Sequence, residues 1–422
     1  MQIYRASWVL PITARPIRDG WVAVDGGVIA GIGGPQGEPG PIGQEAVGRI
    51  DLGDSAIMPA LVNAHTHLEL SWLRGRVGPA PTFLRWVSGM MRERLQSADG
   101  RDDHLVRSAM ALALEEMRAS GTGLVGDISN SLAHLDVLEA SGLEGVVFHE
   151  VIKFRAAGAD GFVDESRRRI EEAGPRGRWR LALAPHAPYS VAPEVYRALA
   201  AARPRLREAR MSAHIAESPE EVEFIGRGSG GWRDLLKRLG AWDPEWRAPR
   251  CSPIEYLERL GFWDERTLAV HAVQASDEDL AVLAARGVTV VTCPRSNAWV
   301  GAGVPPVEAF YRCGARVAVG TDSLASVADL NLFSELAALR RIAPGVKAAD
   351  LLRSATLSGA EALGFGDTHG AIAAGRRAAL IAVEVPPGTM DVEQYLVSGI
   401  EPVKVRSIDE AWSPNRVKNS AC

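Results

Sequence analysis

Eight short apolar runs separated by amphipathic segments restrict the fold of this 422-residue chain more than any other feature. The runs cover residues 57–63, 123–128, 145–151, 180–184, 211–214, 268–271, 288–292 and 316–320. Helical periodicity lies between them, for example over residues 83–95, 104–119, 276–286 and 330–341. Buried strands that alternate with helices are typical of α/β proteins, and eight of them predict a (β/α)8 TIM barrel. A doubly wound open sheet has the same alternation and stays the alternative on this pattern alone.

The two ends of the chain differ from this middle part. Residues 1–55 are rich in Gly and Pro and contain short alternating segments such as Trp21-Val22-Ala23-Val24. A similar strand-like run lies at residues 378–383, after a Gly-Arg turn. Such segments are typical of strands joined by tight turns. We therefore expect a small β-sandwich domain built from residues 1–55 and 370–422, and a barrel over residues 56–369.

Composition and charge exclude several classes of partner. The net charge of −5 gives no electrostatic reason to expect nucleic acid or an anionic membrane. No apolar run is long enough to cross a bilayer, and the first residues lack the features of a signal peptide. The four cysteines form no C-x-x-C motif and predict free thiols in a reducing cytoplasm. A cytoplasmic protein that acts on a small molecule is the expectation.

Side chains able to bind a metal follow the predicted strands at their C-terminal ends, where a barrel places its active site. Five of the nine histidines and one aspartate share this placement: His65, His67, His186, His214, His271 and Asp322. Two histidines at i and i+2 on extended backbone project from the same face. Of the remaining histidines, we interpret His104, His134 and His369 as structural, whereas His149 is ambiguous.

Imidazole nitrogens and a carboxylate oxygen are ligands suited to zinc. We predict that His65, His67, His214 and Asp322 bind one divalent metal ion, with an open position for water. A water bound to this metal would have a pKa of roughly 7, so that hydroxide would be available at neutral pH. Asp322 would bind the metal weakly and take a proton from the water, and His271 would hold and polarise the hydroxide.

Glu217, three residues after His214, separates deamination from plain hydrolysis. Attack of hydroxide on an aromatic C–NH2 carbon requires a proton on the adjacent ring nitrogen and another on the leaving amine. A carboxyl group beside the metal can carry both protons. The structural alternative is a carboxylate at the N-terminus of a helix that starts at residues 218–221, where negative charge is favoured. The two roles are compatible.

Three other sequence features have weaker functional interpretations. The connection over residues 226–260 is enlarged and rich in Trp, which is typical of a lid or pocket wall. Residues 226–231 fit G-x-G-x-x-G, but they follow a helix rather than a strand, so we expect a flexible loop and no dinucleotide site. The His149-Glu150 pair begins a zincin-like motif, but Lys153 replaces its second histidine.

The combination of His65-Thr66-His67, His214-Ile215-Ala216-Glu217, His271 and Gly320-Thr321-Asp322 resembles the amidohydrolase superfamily. It is most similar to the branch of adenosine, S-adenosylhomocysteine, guanine and chlorotriazine deaminases and hydrolases. The resemblance implies a (β/α)8 barrel with one divalent metal, zinc or iron, bound by the four predicted ligands. It implies that Glu217 is the proton shuttle, that His271 orients hydroxide and that His186 contacts substrate. The absence of a lysine after the fourth predicted strand implies a mononuclear site. Homo-oligomers are common among such enzymes, but no interface can be identified in the sequence.

Within this branch, His-Thr-His-Leu-Glu-Leu-Ser and Gly-Thr-Asp-Ser-Leu-Ala-Ser resemble aminofutalosine deaminases, which act on a 6-aminopurine nucleoside. This resemblance implies that Glu69 accepts hydrogen bonds from ribose hydroxyls and that Arg155 pairs with a substrate carboxylate. Structural or surface ion pairs are the alternative for both residues.

The leading hypothesis is therefore a metal-dependent aminohydrolase that releases ammonia from a purine-like nucleoside, such as 6-amino-6-deoxyfutalosine or an adenosine derivative. A second hypothesis keeps the metal site but predicts hydrolysis of a C–N amide or C–Cl bond in a related heterocycle. A third, remote hypothesis is a barrel that binds ligands without catalysis, which loss of any predicted metal ligand would have favoured.

Overall fold

The protein is described from a computed structural model that covers residues 1–37, 48–96 and 102–408. Parts of the predicted β-sandwich domain, residues 38–47 and 409–422, lie outside these described residues, as does Cys422. The strands are β1 (Gln2–Val9), β2 (Ile17–Asp25), β3 (Val28–Gly33), β4 (Gly48–Asp51), β5 (Ser55–Pro59), β6 (Leu61–Thr66), β7 (Thr122–Ser129), β8 (Glu144–Val151), β9 (Trp179–Pro185), β10 (Met211–Ile215), β11 (Thr267–His271), β12 (Thr289–Thr292), β13 (Arg316–Val319), β14 (Leu380–Glu384) and β15 (Val405–Ser407).

Fifteen α-helices of five residues or more occur among the described residues. They are α1 (Phe83–Gln96), α2 (Asp103–Ala119), α3 (Leu135–Ala140), α4 (Ala159–Ala173), α5 (Pro193–Ala202), α6 (Pro219–Arg227), α7 (Gly231–Arg238), α8 (Pro253–Arg259), α9 (Asp277–Ala285), α10 (Pro294–Trp299), α11 (Val307–Arg312), α12 (Leu332–Ile342), α13 (Ala348–Ser354), α14 (Leu357–Ala362) and α15 (Val392–Leu396). Short 3₁₀ helices lie at Leu68–Leu73, Arg203–Arg205 and Pro402–Lys404.

The middle of the chain forms an eight-stranded sheet in which the strands follow one another in chain order from β6 to β13. The neighbouring pairs from β8 to β13 are parallel. A parallel bridge between Thr66 and Asp322 connects the ends of this sheet. Nearly every residue of these strands is buried, as expected for parallel strands covered on both faces. The sequence prediction of an α/β fold with a (β/α)8 barrel is confirmed.

Seven of the eight predicted strands coincide with β7 to β13 to within about two residues. The first prediction, a single strand over residues 57–63, is wrong, because the run contains two strands from different sheets. β5 pairs antiparallel with β14, where Pro59 lies opposite Leu380, whereas β6 belongs to the barrel. The partner changes at Ala60, and an uninterrupted apolar run gives no sign of such a change. His65 therefore lies within a strand rather than after one.

The chain ends form a separate seven-stranded sheet in the order β15-β14-β5-β1-β2-β3, and β4 also pairs with β1. Its two faces bury different residues, because neighbouring side chains on a strand point to opposite sides. Tyr4 and Val22 belong to one hydrophobic cluster, and Ile3 and Trp21 belong to another. Both ends of the chain contribute strands, as the sequence predicted.

The described residues divide into two compact units. One contains Met1–Asn63, Glu116–Leu124 and the described residues from Asn331 onward, and the other contains Ala64–Glu115 and Val125–Leu330. Every predicted site residue belongs to the second unit. The domain boundaries at residues 55/56 and 369/370 stay a prediction.

Two further observations concern the membrane and the cysteines. Among the described residues, no helix has both the length and the apolar character needed to cross a membrane. Cys251, Cys293 and Cys313 form no disulfide among the described residues.

Candidate active site

The first and last strands of the barrel hold the two ends of the metal-binding sequence motif together. The Thr66 hydroxyl donates to the Asp322 carbonyl oxygen at 2.8 Å, and the Asp322 amide donates to the His65 carbonyl oxygen at 3.1 Å. Gly320 makes this approach possible, because a Cβ there would lie 2.8 Å from the His65 carbonyl oxygen and 3.0 Å from Cys293 Sγ. The glycine of the Gly-Thr-Asp motif therefore has a packing role.

Three histidines converge at this end of the barrel. His67 Nε2 lies 3.2 Å from His65 Nε2 and 3.2 Å from His214 Nε2. Ligand nitrogens at the corners of a zinc tetrahedron are about 3.3 Å apart when each Zn–N bond is about 2.05 Å long. Asp322 Oδ1 lies 3.6 Å from His67 Nε2 and 3.9 Å from His65 Nε2. His65, His67 and His214 thus form a potential metal site, with Asp322 beside it.

The protonation of the cluster suits a cation. Burial lowers the pKa of His67 to about 4 and that of His214 to about 3. Burial also lowers the pKa of His65 well below its ordinary value, and the neighbouring His67 and His214 lower it further. These imidazoles are therefore neutral at pH 7, which is the state that binds metal. His214 Nδ1 lies 3.1 Å from the His186 carbonyl oxygen, which can only accept, so Nδ1 carries the proton and Nε2 presents its lone pair.

Two serines hold the Asp322 carboxylate. Ser296 on α10 donates to Asp322 Oδ2 at 2.5 Å, and Ser326 donates to the same oxygen at 3.1 Å. These contacts leave Oδ1 directed at the histidines. Burial raises the pKa of Asp322 above its ordinary value, although hydrogen bonds from Ser296 and Ser326 oppose this shift. The carboxylate can therefore accept a proton more readily than an exposed aspartate can.

His271 and Glu217 form a second buried pair next to the cluster. The Asn297 side-chain amide lies 2.9 Å from His271 Nδ1, and His271 Nε2 lies 3.5 Å from Glu217 Oε1. With the amide donating to Nδ1, the proton of the neutral ring is on Nε2 and points towards the site. Burial lowers the pKa of His271 well below its ordinary value, so the ring is a neutral donor.

Glu217 is held through its backbone by another carboxylate. Glu221 on α6 accepts hydrogen bonds from the Ala216 and Glu217 amides, both at 2.9 Å. The Ser218 side chain caps the same helix by accepting from the Glu221 amide. Burial raises the pKa of Glu217 well above its usual value, and the nearby Asp322 and Glu221 carboxyl groups raise it further. Glu217 therefore keeps a proton at higher pH than an ordinary glutamate does.

A cavity of about 590 Å³ opens onto these residues. Its polar floor includes His67, His214, Glu217, His271 and Asp322. Its wall is mainly apolar and comes from α1, the segment after β8, and α7; it includes Phe83, Trp86, Val87, Met90, Met91, Phe154, Trp232, Leu235, Leu236 and Leu239. Three cationic side chains also line it: Arg94, Lys153 and Arg155.

The three predicted substrate-binding residues have different surroundings. His186 and Arg155 line the cavity, and Arg155 donates to the Gly240 carbonyl oxygen at 2.7 Å. Glu69 is not among the cavity-lining residues, and its carboxylate accepts from Ser129 Oγ at 2.6 Å and Ser131 Oγ at 2.7 Å. The substrate contacts of all three stay predictions, and for Glu69 the structure shows a role in holding the loop after β7.

The remaining histidines have structural contacts. His134 lies 3.0 Å from Asp103 and 3.9 Å from Glu69, and His149 Nδ1 lies 3.3 Å from the Ser129 carbonyl oxygen. His369 Nδ1 lies 2.9 Å from the Thr368 hydroxyl. His104, on α2, is exposed.

The enlarged connection forms part of the cavity wall, as its length and Trp content suggested. It contains α7, from which Trp232 stacks on Tyr189 with ring centroids 3.7 Å apart. Residues 226–231 join α6 to α7, and Gly228 and Gly230 have positive φ values at the helix ends. The G-x-G-x-x-G pattern is therefore a turn between two helices and not a dinucleotide-binding strand–helix junction.

Sequence reasoning missed four residues that complete the site: Glu150, Glu221, Ser296 and Asn297. Ser296 and Asn297 follow β12, which, like β7, is a barrel strand to which no site residue was assigned. Their position at the C-terminal end of β12 could have identified them as site residues, because a barrel directs the C-terminal ends of its strands to one face. Glu221 was noted only as part of a helix start, and Glu150 only as part of a failed zincin motif.

Comparison with known proteins agrees with this geometry. Residues 56–419 match the model of the amidohydrolase family, which is most of the chain. The chain belongs to the amidohydrolase family. This finding confirms the resemblance seen in the His-Thr-His, His-Ile-Ala-Glu and Gly-Thr-Asp motifs.

Similar family members carry deaminase names. A 5-methylthioadenosine/S-adenosylhomocysteine deaminase from Moorella thermoacetica is 30% identical over 411 residues, covering 92% of this chain and 88% of the relative. An aminodeoxyfutalosine deaminase from Deinococcus radiodurans is 33% identical over 327 residues, covering 74% of each chain. The solved structure of a zinc-bound adenosine deaminase from Xanthomonas campestris is 29% identical and superposes with a TM-score of 0.77, covering 96% of this amidohydrolase and 90% of the other chain.

Proposed function

We propose that this amidohydrolase is a mononuclear metal-dependent deaminase that releases ammonia from the 6-amino group of a purine-like nucleoside. The observation that carries the proposal is the buried Glu217, whose raised pKa suits a proton donor, 3.5 Å from His271 Nε2 beside the three-histidine cluster. Displacement of chloride needs no proton donor for the leaving group, whereas loss of an amine from an aromatic ring does. The deaminase names of the relatives agree with this choice.

The donor set fits zinc, with His65, His67 and His214 as its nitrogen ligands and Asp322 as a carboxylate ligand. When bound there, zinc supplies Lewis acidity that brings the pKa of a water to roughly 7. The chain's own groups then handle the protons. Asp322 Oδ1 accepts a proton from the attacking water, and His271 Nε2–H donates a hydrogen bond to its oxygen.

Glu217 completes the reaction by moving two protons. Protonated Glu217 gives its proton to the ring nitrogen as the C–O bond forms at the neighbouring carbon. The ionised carboxylate then takes the hydroxyl proton of the tetrahedral carbon and passes it to the amine. The C–N bond breaks, ammonia leaves and a carbonyl remains on the ring. The proton held by Asp322 restores Glu217 for the next turnover, so atoms and charges balance.

The cavity favours a nucleoside with an apolar substituent on its sugar. Beyond the polar floor, the wall is built from side chains such as Trp86, Met90 and Leu236. Arg94, Lys153 and Arg155 line the same cavity, and none of them forms an ion pair with a carboxylate of the described residues. An anionic group at the end of an apolar arm would pair with these cations. We propose 6-amino-6-deoxyfutalosine as the leading substrate, with its carboxylate at Arg155. We propose the cytoplasm as the compartment, because Cys251 and Cys313 form no disulfide among the described residues.

An ammonia-release screen tests the proposal. Zinc-loaded protein would be given adenosine, 5′-deoxyadenosine, 5′-methylthioadenosine, S-adenosylhomocysteine, 6-amino-6-deoxyfutalosine and a chlorotriazine. We expect ammonia from the nucleosides, with the highest kcat/KM for the nucleoside that carries the apolar, carboxylate-bearing arm. Release of chloride from the triazine without ammonia from any nucleoside would instead support the related hydrolase reaction.

Arg155→Gln tests whether Arg155 binds the carboxylate at the end of the substrate's apolar arm. The variant should lower kcat/KM for 6-amino-6-deoxyfutalosine by about tenfold and leave 5′-deoxyadenosine almost unaffected, because only the first substrate carries a carboxylate. An equal loss on both substrates would show that Arg155 maintains the wall through Gly240 and does not bind substrate.

A further inference from the structure

Glu150, at the end of β8, presents a half-satisfied carboxylate to the cavity. Its side chain is 5% exposed, and the residue is among those that line the cavity. The Asn130 side-chain amide donates to Oε2, whereas Oε1 has no hydrogen-bond partner among the described residues. Buried acceptors are nearly always paired in folded proteins, so an unpaired carboxylate oxygen in a cavity wall calls for a donor from a ligand.

His186 supplies a second acceptor beside it. The Ser190 hydroxyl donates to the Ala187 carbonyl oxygen at 3.1 Å, so it accepts from His186 Nδ1–H at 2.6 Å. With its proton on Nδ1, the neutral ring presents the Nε2 lone pair, which lies 4.0 Å from Glu150 Oε1. Two acceptors therefore face one another at a separation too long for a hydrogen bond between them.

A metal ion is a poor partner for this pair. Glu150, His186 and His214 have ligand atoms within 4.8 Å of one another, but His214 Nε2 is already directed at His65 and His67. One imidazole nitrogen cannot serve both ions. Without His214, only two ligands remain, which is fewer than a stable zinc site requires.

The barrel places this acceptor pair apart from the reacting groups. Glu150 and His186 come from β8 and the segment after β9, whereas Glu217 and His271 come from the segment after β10 and from β11. The strand order puts these two pairs on opposite flanks of His214. An amino group bound near Glu217 and His271 thus leaves Glu150 and His186 for another part of the substrate.

We propose that Glu150 and His186 bind the vicinal 2′- and 3′-hydroxyls of the nucleoside sugar, in place of the Glu69 contact implied by sequence resemblance. The assignment rests on the proposed function. Each hydroxyl donates one hydrogen bond, and neighbouring sugar oxygens lie about 2.8 Å apart, so both can reach acceptors 4.0 Å apart. Glu69 lacks a comparable free oxygen, because Ser129 and Ser131 donate to Oε1 and the Asn130 amide donates to Oε2 at 3.1 Å.

The test combines substrates that lack one hydroxyl with variants of the two glutamates. Zinc-loaded wild type, Glu150→Gln and Glu69→Gln would be assayed with adenosine, 2′-deoxyadenosine and 3′-deoxyadenosine, and their zinc content measured. We expect the wild type to lose at least about tenfold in kcat/KM on one or both deoxy substrates, since a carboxylate would be left without its donor. Glu150→Gln should lose a similar factor on adenosine and lose the discrimination against the deoxy substrate whose missing hydroxyl Glu150 binds, with its zinc retained.

Glu69→Gln is the matched control, because it changes a neighbouring buried carboxylate in the same way. It should keep the wild-type discrimination, whatever its overall rate. The assignment is overturned if the wild type treats the three nucleosides alike, a result that does not depend on any variant folding. It is also overturned if Glu150→Gln keeps the wild-type discrimination against both deoxy substrates, if that variant loses zinc, or if Glu69→Gln alone loses the discrimination. Absence of ammonia from every nucleoside would contradict the proposed function instead.

Discussion

The barrel contains two glutamates, a partly buried Glu69 and a buried Glu217, whose pKa values shift in opposite directions. Burial alone would raise the pKa of Glu69, but the nearby His134 ring and hydrogen bonds from Ser129 and Ser131 lower it to about 2. Glu217 has no comparable set of donors on its carboxyl group, so burial raises its pKa, and the nearby Asp322 raises it further. Because burial acts to raise both pKa values, the hydrogen-bond donors decide which glutamate keeps its proton to higher pH.

The difference in pKa distinguishes a carboxylate with a structural role from a carboxyl group suited to proton transfer. Glu69 is permanently ionised and ties the loop after β7 to the segment after His67. Glu217 is held through its backbone by Glu221, which leaves its own carboxyl group for a substrate. Glu69 therefore suits a role in stability, and Glu217 suits a role in proton transfer.

The largest expected effect follows from removing the proton carried by Glu217. Glu217→Gln keeps the shape of the side chain but cannot transfer a proton, so kcat should fall on the order of a hundredfold or more. The zinc content should be unchanged, because Glu217 is not among the predicted ligands. Steady-state kinetics with metal analysis on the same preparation gives both values. An unchanged rate would remove Glu217 from the mechanism.

Glu69→Gln should mainly cost stability. The folded-state pKa of about 2, against an ordinary 4.5, stabilises the fold above pH 4.5, and this stabilisation is lost as the pH falls towards 2. The full shift corresponds to about 3 kcal/mol. Urea unfolding of wild type and variant between pH 3 and pH 7 should show a difference that shrinks as the solution is acidified. A difference independent of pH would contradict the ionised role of Glu69.

Glu221→Gln should affect catalysis through the position of Glu217. The two oxygens of the Glu221 carboxylate accept hydrogen bonds from the backbone N–H groups of Ala216 and Glu217. The glutamine side chain has an NH2 group in place of one of these oxygens, so one of the two hydrogen bonds is lost. We expect kcat to fall by about tenfold, since a displaced acid–base group transfers protons less efficiently. Activity at several pH values, with circular dichroism as a check on folding, measures the effect. Wild-type kcat in a folded variant would show that Glu217 needs no such support.

The smallest expected effect is a change in the Tm of the metal-free protein when Glu217 is replaced. The raised pKa of Glu217 means that the folded state binds its proton more tightly than the unfolded state, so this group stabilises at low pH and its contribution is lost as the pH rises. Glu217→Gln should therefore raise the Tm of metal-free protein at pH 8 by about 1–3 °C and have less effect at pH 5. Calorimetry of chelator-treated samples measures this. A lower Tm at pH 8 would mean that the folded protein stabilises the ionised form of Glu217, contrary to the raised pKa.

The sequence predicted the barrel and the converging histidines because both depend on strand periodicity. Side chains at the ends of parallel strands meet at one face whatever the details of packing. His65, His67, His214 and Asp322 could therefore be grouped before any distance was known.

Contacts that depend on side-chain direction could not be predicted in the same way. Sequence periodicity does not show that the Ser296 side chain contacts Asp322, or that the Asn297 side chain contacts His271. It also does not show that the Glu69 carboxylate accepts a hydrogen bond from a loop about 60 residues away in the sequence. The change of sheet at Ala60 was hidden for a related reason, because residues 56–62 form one apolar run and both β5 and β6 are buried throughout.

The bridge between Thr66 and Asp322 joins positions 256 residues apart. During translation the His-Thr-His segment leaves the ribosome long before its carboxylate neighbour is made. A nascent chain therefore cannot complete the coordination sphere until most of the barrel has been synthesised. Tight retention of zinc should thus arise late in synthesis, and truncated products that end before Gly320 should exchange the ion readily.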